Sequence, residues 1–421
     1  MKYNNLVTID EFFLKNKVVL LHIDSDSLAI NKFDKKFNVI DSILHLLDNN
    51  VKLIILSTAK RYQTYKEYLE HKTNSKAFYD ELVEKIGMNR TVAQYTEVTK
   101  NEQLSKIIDG LPPKSLFFLD NAFTHDYVDD KIVNYESNYT DDLGLYWANL
   151  CDLYIDDNFA QAYHRISSNY GIEKFKSDAS GVGYLIKNEI KNILNLKKKI
   201  TSKSLLILSG LINEQNLETT LNSLSYFDNV ILLGELSYLF LNIKFGTNFK
   251  INCNDDLLQF ANKIYKKYNK KINLPSDYLC VEKNITNDNP KSIDITNSNI
   301  NNSLILDIGN KSVNEFKNII KNSNSIVFCN LSSDFYNEQL SIESTKELLE
   351  EIRFATQSNK ISIICSDDTC NKIISEKYWN DDSFTYLSSG NISTLSLILD
   401  MPLLGLEGVS RKNNFLKKLF K

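Results

Sequence analysis

The stretch Lys52-Leu-Ile-Ile-Leu-Ser57 contains four consecutive aliphatic residues. A continuous apolar run of this length is typical of a strand in a parallel sheet that is covered on both faces. Similar runs recur at residues 17–23, 115–119, 152–155, 204–208, 229–233, 325–329 and 360–365. Amphipathic segments with helical spacing lie between them, for example at residues 39–47 and 256–268. The sequence therefore predicts an α/β protein whose parallel strands are joined by right-handed crossovers.

The length of 421 residues suggests more than one domain. The alternation of strands and helices is interrupted once, by a long helical stretch from residue 183 to 196 that is followed by a lysine-rich segment. We therefore predict an N-terminal α/β domain at 1–182, an interdomain helix and hinge at 183–203, a C-terminal α/β domain at 204–400 and a tail at 401–421. The basic, amphipathic end of the tail, 411–421, either packs back on the body or contacts a partner or a membrane surface. The Asn-rich stretch 284–302 is predicted to be a surface loop.

Glycine and proline are scarce. The chain has 13 glycines and 5 prolines, against roughly 30 and 20 at usual frequencies of about 7% and 5%. A loop that wraps a phosphate needs backbone without Cβ atoms, so this composition disfavours several glycine-rich phosphate loops. An AT-rich genome would also lower the number of glycines, and this alternative remains open.

The charge count excludes other classes of function. With 49 Lys and Arg against 53 Asp and Glu, the net charge is −4, and we expect no nucleic-acid partner. No apolar run is long enough to cross a bilayer, and the first residues include acids where a signal peptide would be apolar. The six cysteines include no CxxC pair, so we interpret them as buried thiols. The sequence predicts a cytoplasmic protein without a transmembrane segment.

Several motifs together resemble one family. The segment Tyr154-Ile-Asp-Asp-Asn-Phe-Ala-Gln-Ala-Tyr-His-Arg-Ile-Ser-Ser168 is similar to YVNDAFGxAHRAHAS of phosphoglycerate kinases. Residues 22–27, 56–61, 119–124, 183–190 and 306–312 are similar to that family's RVDFNVP, ASHLGR, LENLRF, GFLMEKEL and LDIGPKT, in the same order. The resemblance covers essentially the whole chain. It implies the phosphoglycerate kinase-like bilobal fold, in which two Rossmann-like parallel-sheet domains are joined by a helix and the ligands bind in the cleft.

In the N-terminal half, the resemblance marks the positions that would bind the phosphorylated substrate. Asp24 and Arg61 match the family's substrate-binding aspartate and one of its arginines, and His164 occupies the arginine position of HRAHAS. Lys35 stands where the family has an essential arginine, and Arg165 lies one place beyond its expected position. We name Lys35, Arg61 and Arg165 as vestigial catalytic candidates, and Asp24, Arg61 and His164 as substrate-binding candidates. A lysine cannot reproduce the bidentate fork of an arginine.

In the C-terminal half, the motif GGAKVxDK corresponds to residues 209–216, and its two lysine positions hold Ile212 and Asn216. In GGGxAYTF, which corresponds to residues 233–240, Gly234 is kept but Glu235 replaces a glycine. The motif STGGGAS corresponds to residues 388–394 and keeps one of its three glycines. AT-rich DNA encodes lysine readily, so base composition does not explain the missing lysines.

The motif GGGDT corresponds to residues 365–369. Its Asp368 and Thr369 survive without the three preceding glycines. Asp368, Thr369 and Gly234 are therefore the nucleotide-binding candidates, and Asp368 is a weak candidate for a metal ligand. The alternative to a metal site is that the tandem Asp367-Asp368 is a solvated pair of loop carboxylates. Mg-ATP or Mg-ADP is the implied cofactor only if nucleotide binding is retained.

Three functions are compatible with this pattern. Phosphoryl transfer depends on cations around the moving phosphoryl group, and one arginine there is worth about 10³ to 10⁵ in rate. The missing cations therefore favour a phosphoglycerate kinase-like pseudoenzyme that serves as a structural or interaction subunit beside other, unidentified protein subunits. The first alternative is a divergent phosphoglycerate kinase that converts ATP and 3-phosphoglycerate to ADP and 1,3-bisphosphoglycerate. The second is a sensor that retains weak nucleotide binding.

Overall fold

The computed structural model divides the chain into two compact units. Unit 1 comprises Met1–Ile193 and Met401–Lys421, and unit 2 comprises Leu194–Asp400. The structure describes residues 3, 5–25, 39–62, 64–71, 74–87, 92–282, 290–297, 303–330, 342–365, 368–377, 379 and 381–412, without the side chains of residues 282, 342, 368 and 381. No helix within these described ranges is both long enough and apolar enough to span a bilayer.

Unit 1 is built on a parallel sheet with the strand order β3-β4-β2-β1-β7-β8. The strands of unit 1 are β1 Val18–Asp24, β2 Lys52–Thr58, β3 Val92–Thr96, β4 Ser115–Asn121, β5 Tyr127–Val128, β6 Lys131–Ile132, β7 Leu153–Asp156 and β8 Ser180–Val182. The strands β5 and β6 form a separate two-stranded sheet. Its helices are α1 Val39–Asp48, α2 Tyr65–His71, α3 Lys76–Ile86, α4 Leu104–Gly110, α5 Asp141–Ala148, α6 Ile172–Phe175 and α7 Tyr184–Lys197. The last helix, α7, continues past Ile193, where unit 1 ends, into unit 2.

The apolar runs form strands because both faces of the sheet are covered. Along β2, Leu53 and Ile55 belong to one hydrophobic cluster, whereas Ile54 and Leu56 belong to a second cluster on the opposite face. All four side chains are fully buried. Such a strand has no polar face, which is why its sequence does not alternate.

Unit 2 repeats this architecture. Its parallel sheet has the order β11-β10-β9-β15-β16-β17, and a three-stranded antiparallel sheet has the order β13-β12-β14. The strands are β9 Ser204–Ser209, β10 Asn229–Leu233, β11 Ile272–Asn273, β12 Asp277–Glu282, β13 Lys291–Asp294, β14 Ser303–Ile308, β15 Ser325–Asn330, β16 Ile361–Cys365 and β17 Tyr386–Ser388. The helices are α8 Glu214–Tyr226, α9 Gly234–Phe245, α10 Asp255–Tyr268, α11 Asn310–Asn322, α12 Ile342–Gln357, α13 Asp368–Glu376 and α14 Ile392–Ile398.

The predicted fold class of two parallel-sheet α/β domains is confirmed, and each of the eight predicted runs is a strand. The prediction that 284–302 is a surface loop is wrong for Lys291–Asp294, which form β13. This strand was missed because it is polar and pairs at the edge of the small antiparallel sheet. The other residues of that stretch are described only at 290 and 295–297.

The chain returns to unit 1 after α14. We call residues 401–412 the C-terminal segment. Its side chains Leu403, Leu406 and Val409 are buried. The backbone N–H of Val7 donates to the Ser410 carbonyl at 3.0 Å, and Arg411 forms a β-bridge with Leu6. Most of the basic end at 411–421, residues 413–421, lies outside the described residues, so the proposed partner or membrane contact of that end stays a prediction.

Gly144 of α5 packs directly against the backbone of Gly171. A Cβ atom at this position would lie 2.5 Å from the backbone carbonyl carbon of Gly171. Since backbone cannot yield as a flexible side chain can, we expect Gly144→Ala to lower the free energy of unfolding by about 1–3 kcal/mol. Gly110→Ala in α4 is the matched control, because nothing lies within 4 Å of its Cβ position. We expect Gly110→Ala to be neutral or stabilising by up to about 1 kcal/mol. Urea unfolding measures both changes, and equal effects would contradict the packing argument.

Candidate functional site

The substrate-side candidates of unit 1 lie beyond the carboxyl ends of its central strands. Asp24 is the last residue of β1, Arg61 follows β2 by three residues, and His164 and Arg165 follow β7. Parallel strands bring these ends to one edge of the sheet, which is where α/β proteins bind ligands. Lys35 lies outside the described residues, so its role stays a prediction.

The guanidinium of Arg61 is held by neighbouring side chains. Its Nε donates to Asp126 Oδ2 at 2.8 Å and its Nη2 donates to Asn134 Oδ1 at 2.5 Å. Asp126 is fully buried, and its Oδ1 accepts the backbone N–H groups of Glu136 and Ser137 at 2.8 and 3.0 Å. The Nε and Nη2 edge of Arg61, which would form a bidentate pair with a phosphate, is therefore committed to a carboxylate and an amide.

His164 and Arg165 are also engaged within unit 1. His164 Nε2 lies 2.9 Å from the carbonyl oxygen of Ser137 and donates to it, and burial lowers the pKa of the imidazole. His164 is thus favoured in its neutral form, where the family motif has a permanent cation. Arg165 forms an ion pair with Glu407 of the C-terminal segment, and its guanidinium stacks 4.8 Å above the ring of Tyr170.

Two acids that sequence reasoning missed organise this edge. Asp126 fixes Arg61, and Glu136 belongs to residues 133–138, which supply partners to both Arg61 and His164. Neither acid lies in a motif quoted above. The buried pair His22 and Asp156 was also missed, with His22 Nδ1 3.1 Å from Asp156 Oδ1. The sequence could have revealed this pair. The family motifs have an arginine at the position of His22 and an asparagine at the position of Asp156, so both residues depart from the motifs.

In unit 2, the two positions of the family lysines lie in the loop after β9 and in the first turn of α8. Ile212 and Asn216 are 9% and 5% exposed. The Asn216 side chain donates to the Leu211 carbonyl oxygen at 2.9 Å, so it closes the loop on itself. The Ile212 backbone N–H donates to Glu235 Oε2 at 3.3 Å. The carboxylate of Glu235 therefore accepts a backbone N–H at one of the two lysine positions of the family motif.

Gly234 begins α9 with a φ of 62°, in the left-handed region that favours glycine. A Cβ atom there would lie 3.0 to 3.2 Å from Ser209 Oγ and from backbone atoms of Gly210. The glycine is therefore needed for the close packing of this turn. Its neighbour Glu235 places a negative charge in the first turn of the helix, where a bound anion would be repelled.

Side chains also fill the edge formed by β15, β16 and β17. Cys329 Sγ donates to Asn391 Oδ1 at 3.2 Å, and Asn391 Nδ2 donates to the Asn330 carbonyl oxygen at 2.5 Å. Asn391 occupies one of the family's glycine positions and has a φ of 37°. Thr369 is half-buried in the first turn of α13. The side chain of Asp368 is not described, so its nucleotide and metal roles stay predictions. Within the described ranges, no three His, Cys, Asp or Glu side chains are grouped as metal ligands.

Two α/β units with parallel sheets and candidate ligand residues at the carboxyl ends of the strands define the class of two-domain, doubly wound α/β proteins. A family profile described as phosphoglycerate kinase matches residues 9–400. The chain belongs to the phosphoglycerate kinase family.

Similar proteins support this membership over the full length. The phosphoglycerate kinase of Malacoplasma penetrans is 26% identical, with 98% of this chain and 88% of that protein aligned. The phosphoglycerate kinase of Ureaplasma parvum is 27% identical, with 98% and 99% aligned. The crystal structure of phosphoglycerate kinase from Pyrococcus horikoshii superposes with a TM-score of 0.71 at 19% identity, covering 98% of this chain and all of that one, which establishes the shared fold.

Proposed function

We propose that this chain is a phosphoglycerate kinase-like protein without appreciable phosphoryl-transfer activity, retained as a structural or interaction subunit of a larger cytoplasmic assembly. The observation that carries the proposal is the loop at 209–216. Its two lysine positions hold buried Ile212 and Asn216, and the carboxylate of Glu235 accepts the Ile212 amide. The transferring phosphoryl group would meet a negative charge where the reaction needs positive charge.

The engaged cations of unit 1 support the same proposal. Arg61 is bound by Asp126 and Asn134, and Arg165 by Glu407. To receive a phosphate, each guanidinium would first have to leave an acidic partner, and in the case of Arg61 that partner is fully buried. Breaking such a pair leaves an uncompensated buried charge, which is strongly unfavourable.

A divergent, active phosphoglycerate kinase is the second candidate. The similar proteins favour it, because the relatives aligned over nearly the whole chain are named phosphoglycerate kinases. Asp24, Arg61 and Thr369 also match the motifs of that family. In this case Mg-ATP or Mg-ADP is the cofactor, and 3-phosphoglycerate binds to unit 1.

The decisive experiment is an assay of the purified chain with ATP, Mg²⁺ and 3-phosphoglycerate, run beside the Ureaplasma parvum enzyme. We expect at most about 10⁻³ of the reference rate, since at least one essential cation is missing. If the rate is substantial, and Arg61→Ala abolishes it while the control Arg353→Ala in α12 does not, the active kinase is correct. Calorimetry with Mg-ADP distinguishes a sensor, which binds without turnover, from a subunit that does not bind.

The subunit role has its own measurement. Exposed apolar side chains such as Leu69 and Phe245, 60% and 52% exposed, offer contact area to other protein subunits. In extracts of source cells, the chain should sediment well above its own mass of 48.5 kDa. Sedimentation as a free monomer would contradict this part of the proposal.

A further inference from the structure

Four buried polar side chains of unit 1 form one continuous hydrogen-bonded chain. Glu136 Oε1 lies 2.5 Å from Ser168 Oγ, Ser168 Oγ lies 3.2 Å from His22 Nε2, and His22 Nδ1 lies 3.1 Å from Asp156 Oδ1. All four residues are fully buried. A proton on Glu136 therefore has no contact with solvent unless this part of unit 1 opens.

Glu136 is the member of this chain of contacts that favours an additional proton. Asp156 Oδ1 accepts the Asn158 backbone N–H at 3.0 Å and lies 3.1 Å from His22 Nδ1, and the side-chain amide nitrogen of Asn158 lies 3.2 Å from His22 Nε2. Both imidazole nitrogens therefore have a partner, whereas Glu136 Oε2 has none among the described residues. An ionised Glu136 would place a negative charge in a buried site that already contains another acid, which burial opposes.

Two cations near the network act on other acids, Arg61 on Asp126 and Arg411 on Glu173. Asp126 faces Glu136 from the segment after β4, and its charge is already balanced by Arg61. From β7, the hydroxyl of Tyr154 donates to the Ser168 carbonyl oxygen. From α6, the buried acid Glu173 faces Asp156. Among the described residues, Glu136 Oε2, Asp156 Oδ2 and Glu173 Oε1 have no hydrogen-bond partner.

Glu136 anchors the segment that we call the Glu136 loop, residues 133–138. The loop is tied to Asp126 through the backbone N–H groups of Glu136 and Ser137. The same loop presents Asn134 Oδ1 to Arg61 and the Ser137 carbonyl oxygen to His164. Whatever holds Glu136 inside unit 1 therefore also positions the partners of two candidate substrate-side residues.

We infer that Glu136, through Ser168, His22 and Asp156, is a proton-linked anchor that keeps the Glu136 loop closed on Arg61 and His164, and that loss of the proton releases the loop. Burial raises the pKa of Glu136 from 4.5 to about 8. An acid whose pKa is raised by folding stabilises the closed state fully below pH 4.5, and this stabilisation is lost as the pH rises through about 8. The anchor therefore holds the loop most tightly in acid, weakens as the pH rises from 4.5, and is lost above about pH 8. This inference does not depend on whether the protein is an active kinase.

The test is amide hydrogen exchange of the full chain at pH 4.5 and pH 9, comparing wild type with Glu136→Gln at each pH. Glutamine keeps the size of the side chain but cannot ionise. At pH 9 we expect amides of the Glu136 loop to exchange at least about tenfold faster in wild type than in Glu136→Gln, and at pH 4.5 within about twofold. Equal exchange at pH 9 would overturn the inference. Glu173→Gln is the matched control, since it removes a buried acid outside the loop and should leave the opening at pH 9 unchanged.

A second measurement on wild type covers the case in which Glu136→Gln does not fold. In wild type, the protection factors of the Glu136 loop amides should fall as the pH rises from 4.5 and should level off near pH 8, where folded Glu136 loses its proton. Protection factors that stay constant from pH 4.5 to 9.5 would overturn the inference.

Discussion

Truncation after Asp400 is expected to abolish the cooperative folding of unit 1 while unit 2 still unfolds in its own transition. The C-terminal segment buries Leu403, Leu406 and Val409, which are 1%, 0% and 2% exposed. Each fully buried aliphatic side chain contributes about 1.5–3 kcal/mol. Together the three approach the entire stability of a typical domain, about 5–15 kcal/mol.

Hydrogen bonds from the same segment add to this loss. The Gly405 N–H donates to the Ala162 carbonyl oxygen at 2.9 Å, and the Gly408 N–H donates to Glu173 Oε2 at 2.9 Å. Glu173 is fully buried, so truncation would expose an acid that normally has a backbone partner. Urea unfolding followed by circular dichroism, with proteolysis to identify the surviving unit, measures the outcome. Retention of two full transitions in the truncated chain would contradict the prediction.

A point variant distinguishes the loss of side-chain packing from the loss of the whole C-terminal segment. Leu406→Ala removes a fully buried side chain and should lower the free energy of unfolding of unit 1 by about 2–5 kcal/mol. Leu404→Ala, two residues earlier in the same segment, changes a half-exposed leucine and should cost well under half as much. Similar losses for the two variants would show that burial of Leu406 is not what holds the segment.

The second large effect is expected for Asp157→Ala. Asp157 is fully buried, and its carboxylate accepts the Ser42 hydroxyl at 2.6 Å and the Ile186 backbone N–H at 3.0 Å. It therefore caps the start of α7, the helix that continues from unit 1 into unit 2. A Cβ atom on Gly183 would lie 2.2 Å from Asp157 Cγ, so the carboxylate is tightly enclosed.

Removing this carboxylate leaves two buried donors without partners and also removes a helix cap. Each unsatisfied group costs about 1–3 kcal/mol, and a lost cap costs about 0.5–2 kcal/mol. We expect Asp157→Ala to lower the free energy of unfolding by about 3–5 kcal/mol in urea titrations. Asp152→Ala is the control, because Asp152 makes one exposed hydrogen bond to the Val18 N–H at 2.9 Å and should cost under about 1 kcal/mol. Equal effects would mean that Asp157 does not act as a cap.

Asp157 also provides a pH signature. Burial raises the pKa of Asp157 from 3.8 to about 7. Because the folded state retains a proton that the unfolded chain releases, stability falls as the pH rises from about 4 through 7. The free energy of unfolding of Asp157→Asn should therefore decline less over that interval than that of wild type. A wild-type slope identical to that of the variant would contradict this assignment.

The central strands were predictable because they are buried on both faces, so their hydrophobicity is encoded locally. The edge strands were not. β3, Val92–Thr96, has no fully buried residue, and β17, Tyr386–Ser388, has only three residues. Such strands exist because a neighbouring strand offers hydrogen bonds, and a local window of sequence does not show that neighbour.

The motifs located the residues of the candidate site, but they did not show whether its charged side chains are paired with one another. The sequence identified Arg61, His164 and Arg165, yet it did not show that acids bind both arginines. Arg61 meets Asp126 from 65 residues away, and Arg165 meets Glu407 from 242 residues away. No local pattern relates residues so far apart, since their contact results from the assembled fold.

The sequence by itself determined the α/β architecture, the family and the loss of both lysine positions at 212 and 216, because these depend on residue type and local order. Only the tertiary structure decided which cations are already paired, that Glu235 accepts the Ile212 amide, and that Glu136 is buried beside Ser168 and His22. Burial and charge pairing depend on distances in three dimensions, and chain folding sets those distances between residues that are remote in sequence.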